Sequence, residues 1–274
     1  MRIIFLGDVV GKSGRDAVAQ YLPVLKNKYN PNFIILNGEN TAHGFGILPH
    51  HCEEFFAQGV DVITLGNHSF DKPQILDYIA KENKLLRPCN YITEYGEPFG
   101  IYTKNNFKIM VVNLLGKVFM HSKISYNDPF LAMEQLLKEY QLQKNVDAIF
   151  VDFHAETTSE KMAMGHFLDG KVTAVIGTHS HIPTADSRVL TNGTAYQSDV
   201  GMCGDYNSII GMSYDTSMNK FINAEDGIKK KAFEPSKGAG DVACVVVDVD
   251  ISTGLCYKLL RVVLGNVFTN LEKA

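Results

Sequence analysis

Along this chain, short apolar runs rich in Val, Ile and Leu alternate with longer stretches whose apolar residues recur every three or four positions. Residues 2–6, 33–37 and 62–65 are apolar almost throughout, which predicts strands covered on both faces. Between the first two, residues 15–28 set Ala17, Val18, Tyr21, Leu22 and Leu25 on one helical face. Further helices are predicted over 49–58 and from Pro73, at a first turn, toward Lys81. The second half repeats the pattern with strands over 108–114, 148–153 and 172–176 and a helix over 129–142. Two last strands, 242–250 and 255–264, are joined by Ser252-Thr253-Gly254, a loop short enough for an antiparallel hairpin. Residues 194–240 contain Gly, Ser and Asn without a period and read as irregular or inserted. The alternation predicts a layered α/β protein. With no repeat, linker or composition break, residues 1–274 are expected to form one domain.

Composition adds limits more than detail. At 45% hydrophobic and 20% charged, the 274 residues are ordinary globular material. A balance of 26 basic against 30 acidic residues leaves a net charge of -4, and the one dense basic run, Lys229, Lys230 and Lys231, reads as a solvated loop. No stable nucleic-acid binding is expected. An anionic substrate would need local positive charge, which bound metal ions could supply. Five cysteines, Cys52, Cys89, Cys203, Cys244 and Cys256, form no CxxC pair and suit a reducing compartment. The apolar run at residues 3–6 is too short for a secretion signal and no window reaches membrane-span length, so a cytoplasmic protein without a membrane partner is expected.

Chemistry collects just after the apolar runs. Asp8 follows the first, Glu39 and Asn40 the second, Asn67 and His68 the third, His154 a later one, and His179 and His181 the last of the series. Each alone has an ordinary reading: an Asp that caps a helix, a surface His, an Asn in a turn. Recurrence after five runs points instead to one crevice, because loops at the carboxyl ends of strands converge in open α/β sheets. Carboxylate, amide and imidazole donors suit iron, manganese or zinc. A bridging carboxylate such as Glu39 could hold two cations roughly 3.5–4 Å apart, clamping the attacking and leaving oxygens of an in-line displacement.

The series Gly7-Asp8, Gly38-Glu39-Asn40, Gly66-Asn67-His68, His154 and Gly177-Thr178-His179-Ser180-His181 resembles the calcineurin-like metallophosphoesterases. The segments GDVVGKSGR, NGENTAHGFG, TLGNHSFD, VDFHAETTSEK and IGTHSHIPTAD resemble, more narrowly and over essentially the whole length, the YmdB family of bacterial cyclic-nucleotide phosphodiesterases. Three departures from the wider superfamily favour the narrower family. Val10 stands where a histidine is usual, with Asn40 as the substitute ligand; Glu39 stands where Asp is usual; and Ser69 follows Gly-Asn-His where an acidic residue is usual. The last leaves the orientation of His68 to another group, for which Asp71 is the candidate.

The resemblance implies an α/β/β/α sandwich of two mixed β-sheets flanked by helices, a single metallophosphoesterase domain. It implies two metal ions, iron foremost and manganese or zinc as alternatives. Asp8, Glu39, Asn40 and His181 would hold one; Glu39, Asn67, His154 and His179 would hold the other. His68 would act as general acid. The implied activity is hydrolysis of cyclic nucleotide monophosphates, of 2′,3′-cyclic AMP type and in the wider case 3′,5′-cyclic AMP, through a metal-bridging hydroxide. A homo-oligomer, dimer or tetramer, is implied as well.

Two rival readings stand beside this. Gly7-Asp8-Val9-Val10-Gly11-Lys12-Ser13 resembles a phosphate-binding P-loop, but three residues separate its first Gly from Gly-Lys-Ser where four are needed. A metal-binding nucleotide sensor with little catalysis is the other. His43, His50, His51, His121 and His166 fall in loops or at helix starts and are expected at the surface.

Overall fold

Alternation along the central strands decides the layering. Arg2–Leu6 sends Ile3 and Phe5 to one side and Ile4 and Leu6 to the other, and all four are shut from solvent. The structure, a computed structural model, describes residues 1–222 and 232–267, so Lys229, Lys230 and Lys231 lie outside the described residues.

Among the described residues there are two sheets. In the eight-stranded one Arg2–Leu6 runs parallel to Phe33–Asn37, followed by Val62–Thr64 and Leu85–Leu86, and antiparallel to Asp241–Val249 on its other side. Beyond that strand come Met202–Gly204 and then Asp8–Val9, while Cys256–Leu264 pairs with Asp241–Val249 as the expected antiparallel hairpin. The six-stranded sheet runs Arg188–Val189, Ala195–Gln197, Ala174–Thr178, Ala148–His154, Phe107–Leu115 and Phe99–Lys104. Its central four are parallel, with antiparallel pairs at both edges.

The sheets pack face to face through Ile3, Phe5 and Ile35 against Val111, Phe150 and Ile176, with the rings of Phe5 and Phe150 5.0 Å apart. Outside the first sheet, Gly11–Tyr29 and Pro49–Ala57 bury Val18, Leu22, Leu25 and Phe55. Outside the second, Pro129–Glu139 and Thr158–Leu168 bury Met133, Met164 and Leu168. The result is the expected mixed α/β sandwich of two sheets between helices. Truncating a ring such as Phe150 at the inter-sheet layer would cost about 3–5 kcal/mol.

Several expectations shift. The first helix begins at Gly11 rather than 15 and runs through Pro23. The helix expected from Pro73 to Lys81 is a 3-10 turn, Pro73–Ile75, followed by a single turn, Leu76–Ile79. Residues 194–222 are ordered, not irregular: Ala195–Gln197 joins the second sheet, Met202–Gly204 the first, and Tyr214–Ile222 is a helix. Thr158–Leu168 has no counterpart in the apolar pattern because Glu160 and Lys161 lie on its buried face. Its start carries a signal of another kind, Thr157 accepting from the Glu160 N–H at 3.4 Å.

Candidate metal centre

The candidate residues come from the carboxyl ends of strands in both sheets. Asp8 opens Asp8–Val9, Glu39 and Asn40 follow Phe33–Asn37, and Asn67 and His68 follow Val62–Thr64. His154 is the last residue of Ala148–His154, and His179 and His181 follow Ala174–Thr178. Backbone must come close here, which is what the glycines permit. A Cβ on Gly66 would meet the Glu39 carboxylate and lie 2.6 Å from His154 Nε2.

His154 Nε2 is the centre of the group. It lies 3.0 Å from Glu39 Oε1, 3.1 Å from Asn67 Oδ1 and 3.1 Å from His179 Nδ1. Donor atoms of Glu39, His154 and His179 all fall within 4.8 Å of one another, the spacing of a coordination sphere. Asp8 Oδ2 accepts the His179 N–H at 3.2 Å, and its Oδ1, 3.8 Å from His154 Nδ1, takes part in no hydrogen bond. Asn40 Nδ2 donates to the Gly44 carbonyl at 3.0 Å while its Oδ1 is likewise unpartnered. His181 Nδ1 lies 2.8 Å from the Ile210 carbonyl and can only donate to it, which leaves Nε2 as the nitrogen available to a ligand. Asp8, Glu39, Asn67, His154 and His179 are thus joined by direct contacts. His68 is tied to them through its own N–H, which donates to Glu39 Oε2 at 3.0 Å. Asn40 and His181 face the same space, since Glu39, Asn40, His68, His179 and His181 line one cleft of about 420 Å³.

A chain of hydrogen bonds sets the ring of His154. Thr178 Oγ1 donates to Asp152 Oδ1 at 2.7 Å, so it accepts from His154 Nδ1 at 2.9 Å and leaves Nε2 for the cluster. Asp152 is pinned in turn by Asn37 Nδ2 at 2.9 Å and Thr64 Oγ1 at 2.6 Å. On the opposite side, His179 Nε2 lies 2.9 Å from Glu156 Oε2, which leaves Nδ1 turned inward. Carboxylate or hydroxyl partners of this kind orient metal-binding imidazoles. The apolar pattern carried no sign of Asp152 or Thr178, and Glu156 passed as part of a motif without a role. Lys161 and Asp199 were also missed: this buried pair, 2.8 Å apart, receives the Ser180 N–H and steadies a loop in which His179 and His181 have φ of 104° and 66°.

Electrostatics point the same way. Asp8 and Glu39 are 0% and 1% exposed. Burial pushes the Asp8 carboxyl up, against the pull of His181 and His154. Burial also opposes ionisation of Glu39, but His154 beside it prevails and draws it well below the usual carboxylate range. Burial disfavours the charged form of His154 too, yet Glu39 holds its pKa up to about 9. Burial and the neighbouring His154 press His179 down to about 3. The proton shared by Glu39 and His154 therefore sits where a cation would compete for the same lone pairs. Unpartnered oxygens on Asp8 and Asn40, acidic groups buried together and imidazoles held in one tautomer are what a metal site of hard donors requires.

Outside this cluster the other histidines separate. His43, His50, His121 and His166 are exposed as expected; His51 is buried, 5% exposed, with Nδ1 unpartnered. Lys12 pairs on the surface with Asp16 at 2.5 Å.

A two-sheet sandwich that gathers carboxylate, amide and imidazole donors at its strand ends defines an enzyme of the phosphatase and phosphodiesterase class, on the metallophosphoesterase fold. Comparison with known proteins narrows this. The chain matches the family model of the YmdB-like proteins over residues 4–262, and it belongs to that family. It is 43% identical to the 2′,3′-cyclic-nucleotide 2′-phosphodiesterase of Bacillus subtilis, over 97% of this chain and 98% of that one. Among solved structures, a novel phosphatase from Mycoplasma pneumoniae superposes with a TM-score of 0.88 at 36% identity, covering 96% of this chain and 93% of that one. A hypothetical protein from Thermus thermophilus superposes with a TM-score of 0.87 at 34% identity, covering 96% and 99%. Among the described residues no helix is long and apolar enough to cross a membrane.

Proposed function

We propose that the protein is a binuclear phosphodiesterase that opens the ring of cyclic nucleotide monophosphates, those of the 2′,3′ type first. The observation that carries this reading is His154 Nε2 facing Glu39, Asn67 and His179, with the unpartnered Asp8 Oδ1 3.8 Å from His154 Nδ1 and the unpartnered Asn40 Oδ1 on the residue after Glu39. Similarity to the Bacillus subtilis enzyme supports the substrate class. Asp8, Glu39, Asn40 and His181 would hold one cation and Glu39, Asn67, His154 and His179 the other, Glu39 bridging. Iron is the foremost candidate, with manganese and zinc also suited to these donors. When bound, the cations supply Lewis-acid charge and a water that ionises near neutral pH.

This chain's own residues do the rest. His68 has its Nδ1 held 2.6 Å from Asp71, so Nε2 is the nitrogen left to carry a proton to the departing ribose oxygen. Phe45, whose ring meets that of His68 edge-on at 5.0 Å, walls this proton donor on one side.

The test is elemental analysis of freshly purified protein, then turnover of 2′,3′- and 3′,5′-cyclic AMP before and after metal removal and re-addition. Two metal ions per chain and metal-dependent ring opening are expected. A metal-loaded protein inert toward both would overturn the proposal and favour a nucleotide sensor.

A further inference from the structure

The cleft has two chemically different ends. Its lining includes Glu39, Asn40, His179 and His181 of the donor cluster; next to these stand Phe45, beside His68, and Ile210, beside His181, and the apolar wall continues through Met212, Phe221 and Phe233. Those five side chains carry no charge and no strong hydrogen-bonding group; the lining around them also holds Ser217 and Lys220. The rings of Phe45 and Phe233 have centroids 6.4 Å apart and planes tilted by 49°, a direct ring contact that sets two aromatic groups side by side in the wall. At the rim Ile210 is 48% and Phe221 69% exposed, large apolar groups left in water beside a polar centre, as is usual where a ligand sits.

A second observation lies in the same wall. Ser217, on the helix Tyr214–Ile222, lines the cleft and is only 2% exposed, yet its hydroxyl forms no hydrogen bond among the described residues. A buried hydroxyl without a partner is costly, and a ligand with polar edge atoms relieves that cost. Lys220 Nζ lies 4.7 Å from the Phe233 ring centre, so one face of that ring is already matched to a cation.

We infer that this apolar end is the nucleobase subsite, with Phe45 and Phe233 as stacking faces and the Ser217 hydroxyl meeting the edge of the base. The inference rests on the phosphodiesterase reading above and adds where the substrate's base goes. Stacking on a phenyl face depends on ring area more than on base identity, and a hydroxyl can both donate and accept. The subsite therefore favours purines over pyrimidines without selecting adenine over guanine.

The experiment compares 2′,3′-cyclic AMP with ribose 2′,3′-cyclic phosphate that carries no base, using metal-loaded protein whose metal content is measured for each variant. The parent is expected to prefer the nucleotide in kcat/KM by about tenfold or more, the usual scale of one base stacked on one aromatic ring. Phe233→Ala and the volume-conserving Phe233→Leu should each collapse most of that preference through KM for the nucleotide. Ser217→Ala should reduce it by a smaller factor. Equal kcat/KM on both substrates in the parent, or Phe233 variants that lose both substrates alike, would overturn the subsite while leaving the phosphodiesterase reading in place. A metal-loaded parent that opens neither ring would instead remove the reading on which the subsite depends.

Discussion

His68 Nδ1 lies 2.6 Å from Asp71 Oδ2, and Asp71 Oδ1 lies 2.8 Å from Lys123 Nζ. With that nitrogen tied, the ring has one orientation and one free nitrogen. His68→Ala should therefore keep the parent's metal content by elemental analysis and lower kcat on 2′,3′-cyclic AMP by about a hundred- to ten-thousandfold. Asp71→Asn, which keeps the volume and loses the charge, should show a smaller loss in the same assay. Unchanged kcat in His68→Ala would remove this residue from the proton-transfer role.

Gly66 is pressed between Glu39 and His154. A methyl group there would run into the Glu39 carboxylate and lie 2.6 Å from the imidazole nitrogen. Gly66→Ala is expected to purify folded, because the intrusion is confined to side chains at the loop, but with metal content reduced by at least half. Full metal occupancy in that variant would show that the cluster tolerates rearrangement.

Thr178 carries the link between Asp152 and His154, at 2.7 and 2.9 Å. Thr178→Val keeps the shape and deletes the link. Loss of such an orienting partner weakens metal affinity by about ten- to a hundredfold. Titration with a competing chelator should read that shift directly, and an unaltered chelator midpoint would show that Asp152 orients nothing.

His51 offers a pH effect away from the donor cluster. Burial, with Arg15 and His50 adding to it, lowers its pKa from 6.5 to about 4. Above the unfolded-state value the ring is neutral in both states and folding loses nothing. As pH falls from 6.5 toward about 4, the unfolded chain takes up the proton first, so stability declines across that window. His51→Gln should flatten the fall in urea midpoint between pH 7 and pH 5 relative to the parent. Parallel pH curves for the two proteins would assign the acid sensitivity to other groups.

Much of the fold was legible because its signals are local. Buried strands such as Phe33–Asn37 and Ala148–His154 announce themselves as apolar runs, and the hairpin of Asp241–Val249 with Cys256–Leu264 follows from its short loop. Thr158–Leu168 escaped because its buried face includes Glu160, whose carboxylate accepts from the Lys117 and Val118 N–H groups, and Lys161, paired with Asp199. Phe99–Lys104 escaped for the opposite reason: as an edge strand, half-buried along most of its length, it shows no apolar stripe.

For the candidate site, the sequence by itself determined which donors exist and that each follows a strand, since a strand end is a local property of the chain. His68, held by Asp71 three residues on, could be oriented from the sequence, but which nitrogen of His154, His179 and His181 turns inward was decided only by tertiary structure. Asp152 and Thr178 select Nε2 of His154, Glu156 selects Nδ1 of His179, and the Ile210 carbonyl selects Nε2 of His181. Those choices arise from hydrogen bonds across the sheets and loops, between partners as many as 29 residues apart, and hydrophobic periodicity carries no information about them. The meeting of both sheets' strand ends has the same origin, because it follows from the packing of Phe5 on Phe150 and the inter-sheet layer around them.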